Sequence, residues 1–211
     1  AVAVIIAEQV LNALHNRPYL NAINIPFLKS QLPEHLRLYF DLTEKMGKLA
    51  PAFKKDGTVT AGNASGLNDA ASAVIIMSRE KANELGIKPL GKMLSWANGG
   101  VDPAYMGLGP IPAIRKALKK ANLTLDQVDV IELNEAFASQ SLACIKELGV
   151  NMDKCNMFGG GVSLGHPIGC TGARLVTTAF YAMQRMNKKY ALISMCIGGG
   201  MGLAAIFERE A

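Results

Sequence analysis

The chain has 211 residues, 50% of them hydrophobic and 18% charged, with a net charge of +5. That is enough chain to bury a core, and the apolar content excludes a disordered or fibrous protein. The basic residues are scattered, with short pairs at Lys54–Lys55, Lys119–Lys120 and Lys188–Lys189. This excludes a nucleic-acid arm and leaves open either an affinity for anionic small molecules or a merely solvated basic face.

Residues 1–41 carry little signal. Ala1–Ala7 is apolar, but no basic segment precedes it, Glu8 follows directly, and it is too short to span a bilayer, so a buried strand or helix start is expected. Pro18, Pro26 and Pro33 break the rest of this segment into short pieces, and His15 reads as a surface or internally satisfied histidine. Leu42, Met46 and Leu49 predict a short helix over 42–53, ended by Pro51. Lys54–Gly57 is a turn, and Thr58–Gly66 a small, polar loop. Ala70–Met77 (AASAVIIM) reads as a buried strand. Ser78 then caps a helix over Arg79–Leu85, closed by Gly86.

A strand is expected over Leu90–Ala97, a loop over Val101–Pro110, and a helix over Pro112–Ala121 with Ile114, Ala117, Leu118 and Ala121 on one face. Val128–Leu133 is a short buried strand, and a helix running to Leu148 comes after it. The same event repeats with an extended stretch over Met157–Leu164, a glycine turn, and a helix over about 169–186. Tyr190–Cys196 and Leu203–Glu208 read as strands joined through Gly198–Gly200. Alternating strands and helices imply an α/β domain with a largely buried mixed sheet.

Three motifs stand at expected strand ends, where ligands collect in such sheets. They are Asn134–Phe137 (NEAF), Gly159–Gly172 (GGGVSLGHPIGCTG) and Cys196–Gly202 (CIGGGMG). Gly165-His166-Pro167 holds an imidazole, a base near neutral pH, in a rigid turn; a structural histidine is the equally simple reading. Cys196 precedes bare backbone whose amides, notably that of Gly198, can donate to an oxyanion, and the thiol becomes acid or base once a neighbour lowers its pKa. Cys144, Cys155 and Cys170 read as small buried hydrophobes. The four cysteines form no CxxC pair, which argues against zinc and for reduced thiols in a cytoplasmic protein. Asn134 can orient a carbonyl or a water, and Glu135 either polarises that network or pairs with a lysine. The glycine spacing fits neither a dinucleotide nor a P-loop fingerprint.

The sequence resembles the thiolases, and among them the biosynthetic acetyl-CoA acetyltransferases. The matching stretches are PAFKKDGTVTAGNASGLND (51–69), GVDPAYMGLGPIPA (100–113), NEAFASQS (134–141), GHPIGCTGAR (165–174) and CIGGGMG (196–202). The resemblance spans about 42–211 and leaves 1–41 as a remnant or linker. It implies the C-terminal half of a layered αβαβα fold, with a mixed five-stranded sheet and helices on both faces. The implied activity is acyl transfer between two acetyl-CoA molecules, giving acetoacetyl-CoA and CoA, or the reverse thiolysis. CoA would be a substrate, with no tightly bound cofactor and no metal.

By the same resemblance, His166 would activate a nucleophilic cysteine and, with Asn134, form one oxyanion hole. Cys196 would be the acid–base thiol, and the Gly198 amide would serve a second oxyanion hole. Phe53, Ala61, Ala64, Ser65, Leu67, Met106, Ala136 and Phe137 match positions along the CoA path, and Arg37 one that meets its phosphate. The family's nucleophile lies in a CGSG-like motif of the N-terminal half, whereas the first cysteine here is Cys144. The expected partner is therefore an N-terminal thiolase half or a further copy in a homo-oligomer, with no nucleic acid and no membrane involved. The alternative is an inactive thiolase-like CoA-binding protein. Phe158, Ser163, Cys170 and Thr171 depart from the family pattern.

Overall fold

The computed structural model describes residues 42 and 45–210, so Arg37, His15 and the apolar opening fall outside the described part. The chain divides into two compact units, Ala1–Ala64 and Ser65–Ala211. In the first, a helical turn at 45–47 precedes an antiparallel bridge between Pro51 and Thr60. The Gly57 N–H donates to the Lys54 carbonyl at 2.8 Å, closing the expected turn. The helical turn ends at Gly47, before the end that Pro51 was expected to mark, and Pro51 joins the bridge instead.

The second unit runs α1 (Arg79–Glu84), β1 (Gly91–Gly100), α2 (Pro110–Ala121), β2 (Val130–Leu133), α3 (Ala138–Leu148), α4 (Gly161–Leu164), α5 (Thr171–Arg185), β3 (Tyr190–Ile197) and β4 (Met201–Arg209). Ser78 caps α1, its hydroxyl accepting the Lys81 N–H at 3.2 Å. Pro110 and Pro112 occupy the first turn of α2, where a missing N–H costs nothing. The sheet order is β1-β4-β3-β2; β2 and β3 are parallel and the other two pairs antiparallel.

Two apolar layers cover the sheet. On one face, Ile111, Ile114, Ala117 and Leu118 of α2 and Cys144 of α3 pack against Ala97, Ile131, Leu133, Leu192, Ala204 and Ile206. On the other, Leu175, Ala179, Ala182 and Met183 of α5 pack against Val130, Ala191, Ile193 and Ala205. Each large side chain fully buried here contributes roughly 1.5–3 kcal/mol. The alternation matters for function: Ile131 and Leu133 face α2 and α3, Val130 faces α5, and so Glu132 and Asn134 leave β2 toward α5.

Among the described residues the fold is the expected mixed α/β sheet with helices on both faces, with four strands rather than five. Two expected strands are absent. The stretch 70–77 has no regular structure, and Ile75 and Ile76 are each 85% exposed. Its apolar run signalled burial, but a strand needs a hydrogen-bonding neighbour, and no described strand pairs with it. Over 157–164 the chain makes a turn and then α4 instead. Beside β2 there is only one parallel bridge, Ile131 to Cys155, among the described residues. Asn156 (φ 49°) and Gly159 (φ 100°) then adopt left-handed backbone, which no extended strand accommodates. The 101–110 loop contains a 3-10 segment, Pro103–Leu108, capped by Asp102.

Candidate active site

The carboxyl end of β2 is built before any catalytic group is added to it. The Asn134 N–H donates to the Ser194 carbonyl at 2.9 Å, extending the β2–β3 ladder by one residue. On the open side of β2, the Asn156 side chain imitates a strand. Its Oδ1 accepts the Leu133 N–H at 2.9 Å, and its Nδ2 donates to the Leu133 carbonyl at 2.8 Å and to Glu135 Oε1 at 3.0 Å. Glu135 Oε2 accepts the Val162 N–H of α4 at 3.1 Å. Glu135 therefore ties the 156–162 segment down. Among the described residues it neither pairs with a lysine nor hydrogen-bonds to Asn134, the two roles expected for it from sequence.

The histidine turn is pinned by a neighbouring loop. The His166 N–H is shared between the Gly66 carbonyl (3.1 Å) and Asn68 Oδ1 (3.2 Å). Gly165 is at φ 100°, and a Cβ there would collide with Asn68, so the turn requires glycine on two counts. His166 follows the short helix α4 rather than a strand, unlike the other two motifs.

The imidazole is held at both nitrogens. Nδ1 lies 2.7 Å from Thr171 Oγ1, and Nε2 lies 3.3 Å from Asn134 Nδ2. The single proton of the Thr171 hydroxyl goes to the Pro167 carbonyl at 2.9 Å, so Thr171 must accept from Nδ1–H. The tautomer is thereby set: Nδ1 carries the hydrogen, and the Nε2 lone pair faces the Asn134 amide. Asn134 is fully buried, and its Oδ1 has no hydrogen-bond partner among the described residues. Partial burial, and then the charge of Arg174, lower the His166 pKa below its ordinary value, favouring the neutral, basic form.

Cys196 lies near the end of β3, two residues beyond the carbonyl that Asn134 binds. Its thiol is half-buried and makes no hydrogen bond to His166 or Asn134. Burial raises its pKa, so it rests as a protonated thiol and a proton donor; no cation among the described residues lowers it. All four cysteines are free. Cys144 and Cys155 are deeply buried and are pushed up to about 11 and about 12, chiefly by that burial, which makes both inert. Gly198 is exposed in the β3–β4 turn, with open space where a Cβ would stand.

The remaining candidates divide between the units. Phe53 and Ala61 are exposed and Ala64 half-buried in the first. In the second, the Ser65 N–H donates to the Ala136 carbonyl at 3.0 Å, Leu67 is exposed, Met106 and Phe137 are half-buried and Ala136 is buried. Thr171, Asn156 and Asn68 do not stand out as site residues in the sequence. Thr171 reads there as a mild departure, yet it is the partner that sets the tautomer; the available signal is a hydroxyl five residues past the histidine, at a helix start. Phe158, another departure, lies 5.6 Å under the Arg185 guanidinium.

Residues 87–209 match the family model for the thiolase C-terminal domain, and residues 34–80 that for the thiolase N-terminal domain. The chain is 62% identical over 167 residues to acetyl-CoA acetyltransferase of Syntrophomonas wolfei, covering 78% of this chain and 42% of that protein. It is 54% identical over 178 residues to beta-ketothiolase BktB of Cupriavidus necator, covering 83% and 45%. Among solved structures, the Bacillus anthracis acetyl-CoA acetyltransferase superposes with a TM-score of 0.77 at 49% identity, over 80% of this chain and 43% of that one. Human mitochondrial 3-ketoacyl-CoA thiolase in complex with CoA gives 0.74 at 43% identity, over 80% and 43%. The chain belongs to the thiolase family, and its near relatives include proteins of the acetyl-CoA acetyltransferase type. It spans less than half the length of these relatives.

Proposed function

We propose that this chain carries the acid–base portion of a thiolase-type acyltransferase, acting on acetyl-CoA and acetoacetyl-CoA. The observation that carries the reading is the line Asn134–His166–Thr171, which presents a neutral imidazole with its Nε2 lone pair toward the end of β2. In thiolysis, Nε2 takes the proton of a nucleophilic thiol, and the resulting thiolate attacks the ketone carbon of acetoacetyl-CoA. The carbon–carbon bond breaks, and the departing acetyl-CoA carbanion takes the proton of Cys196. The Cys196 thiolate then takes the proton of CoA, whose sulfur displaces the acyl group from the nucleophile. Condensation runs the same steps in reverse. Asn134 with His166, and the Gly198 amide, would receive the two developing oxyanions.

None of Cys144, Cys155 or Cys170, all buried, suits the nucleophile, and Cys196 is occupied by proton transfer. The nucleophile would come from an N-terminal thiolase half. The exposure of Ile75 and Ile76, inside the stretch matched by the N-terminal domain model, is in keeping with such a partner. Phe53, Ala61, Ala64, Ser65, Leu67, Met106, Ala136, Phe137 and Arg37 would line the path of CoA, the ligand present in the human relative's structure.

Acetoacetyl-CoA thiolysis by this chain, alone and mixed with an N-terminal thiolase half bearing the cysteine, tests the reading. Activity on mixing only, lost in Cys196→Ser while CoA binding persists, is the expected result. CoA binding without activity in any mixture would favour an inactive CoA-binding protein, and ordinary turnover by the chain alone would overturn the assignment of a nucleophile supplied from outside.

A further inference from the structure

We infer that Arg174, anchored by Glu132, is a positioning residue for His166: the two residues form a second rung between β2 and α5 that holds the imidazole's own rung in place and sets the charge beside it. The inference rests on the acid–base reading of His166. Glu132 and Asn134 are two apart and leave β2 toward the same helix. Thr171 and Arg174 are three apart on α5 and share one of its faces. The outer rung is Asn134–His166–Thr171. The inner rung is Arg174 Nη1 to Glu132 Oε2 at 3.5 Å, with Glu132 only 1% exposed. Asn134 can meet Nε2 only while the turn leading into α5 keeps its height over β2, and the inner rung fixes that height.

The inner rung is poorly explained as a stabilising feature. Arg174 Nη2 is buried without a hydrogen-bond partner among the described residues. A pair at this separation, with one donor orphaned, is a weak contributor to stability. Burial pushes Glu132 up to about 7, with the nearby Glu135 adding to the rise and Arg174 opposing it. The same Arg174 charge depresses His166. The titratable groups around the pair are thus Glu135 beyond β2, Cys155 on the adjoining loop, and His166 itself.

The test is an NMR titration of His166 in the full chain, distinguished from His15 and His35 by His166→Asn. Removing the cation in Arg174→Met is expected to raise the His166 pKa by roughly half a pH unit, and to broaden the ring signals as the Asn134 contact loosens. Glu132→Gln is expected to leave the pKa near the wild-type value, because Glu132, at about 7, already holds its proton over the range in which His166 titrates. Arg174→Lys keeps the charge and should restore most of the wild-type value. A raised value in Arg174→Met, with the wild-type value kept in Glu132→Gln and Arg174→Lys, supports the inference; no rise in Arg174→Met, or the same rise in all three, overturns it. If Arg174→Met does not fold, Arg174→Gln decides, a raised value supporting and an unchanged or lowered one overturning. The titration needs no acyl transfer, so its failure and the failure of the acyltransferase reading are separable.

Discussion

The two faces of the sheet are covered in the same way and differ at one end. On the α2–α3 face the buried contacts are mostly apolar, from Ala97 and Ile206 to Leu133, and the buried Ser95 hydroxyl is paired, donating to the Ala117 carbonyl at 2.7 Å. On the α5 face the contacts begin apolar, with Val130, Ala191 and Ile193, and then change to Glu132 and Asn134 as β2 reaches its carboxyl end. One face is organised for burial, its polar group paired. The other stays buried but exchanges apolar contacts for polar ones over its last turn and holds an imidazole. Buried polar groups cost stability unless they are fully paired, and two on this face are not, Asn134 Oδ1 and Arg174 Nη2. The contrast separates the residues that keep the chain folded from those proposed to do chemistry.

The largest effect should come from the apolar face. Ile114→Ala, at a fully buried α2 position, is expected to cost about 3–4 kcal/mol in denaturant unfolding while leaving the His166 titration unchanged. A coupled change in His166 would break the separation of faces. Next is the pH dependence of stability, set by Glu132. Its folded pKa of about 7 lies above the ordinary 4.5, so the folded state holds the proton more tightly. Stability from this group is complete below pH 4.5 and is lost as pH rises to about 7, a decline on the order of 3 kcal/mol. Glu132→Gln should flatten that window in equilibrium unfolding measured against pH; a decline that persists would move the effect to another group.

Thr171→Val should cost about 1–2 kcal/mol and release the Nδ1–H, with Thr171→Ser restoring both. An unaltered tautomer in the valine variant would mean that the ring is fixed by Asn134 alone. The smallest effect belongs to the exposed stretch before α1. Ile75→Ser should shift the stability of this chain by less than about 0.5 kcal/mol and weaken complementation by an N-terminal half much more. A large loss of stability in the chain alone would show that this stretch is buried in solution.

Much of this is legible in the sequence where local signals agree with tertiary packing. Ser78, the spacing of Ile114, Ala117 and Leu118, and the glycines at 198–200 mark their elements because cap, period and turn are local properties. The strand expected at 70–77 fails because an apolar run reports a tendency toward burial and says nothing of which neighbour provides it. The extended stretch expected at 157–164 fails because the left-handed backbone at Asn156 is a tertiary compromise, in which the side chain replaces a missing strand beside Leu133. Asn134 and His166 can be named as candidates from their glycine-rich settings and the family resemblance, and the structure brings them into contact. The tautomer cannot be read from sequence at all, since it depends on where one hydroxyl proton of Thr171 goes.

That tautomer is the point on which the acid–base account turns, and long-range proton–nitrogen correlation of His166 measures it directly. The account predicts a protonated Nδ1, a bare Nε2, and a neutral ring that persists below the ordinary histidine range. A ring protonated at Nε2, or one that titrates as an unperturbed histidine, would contradict it.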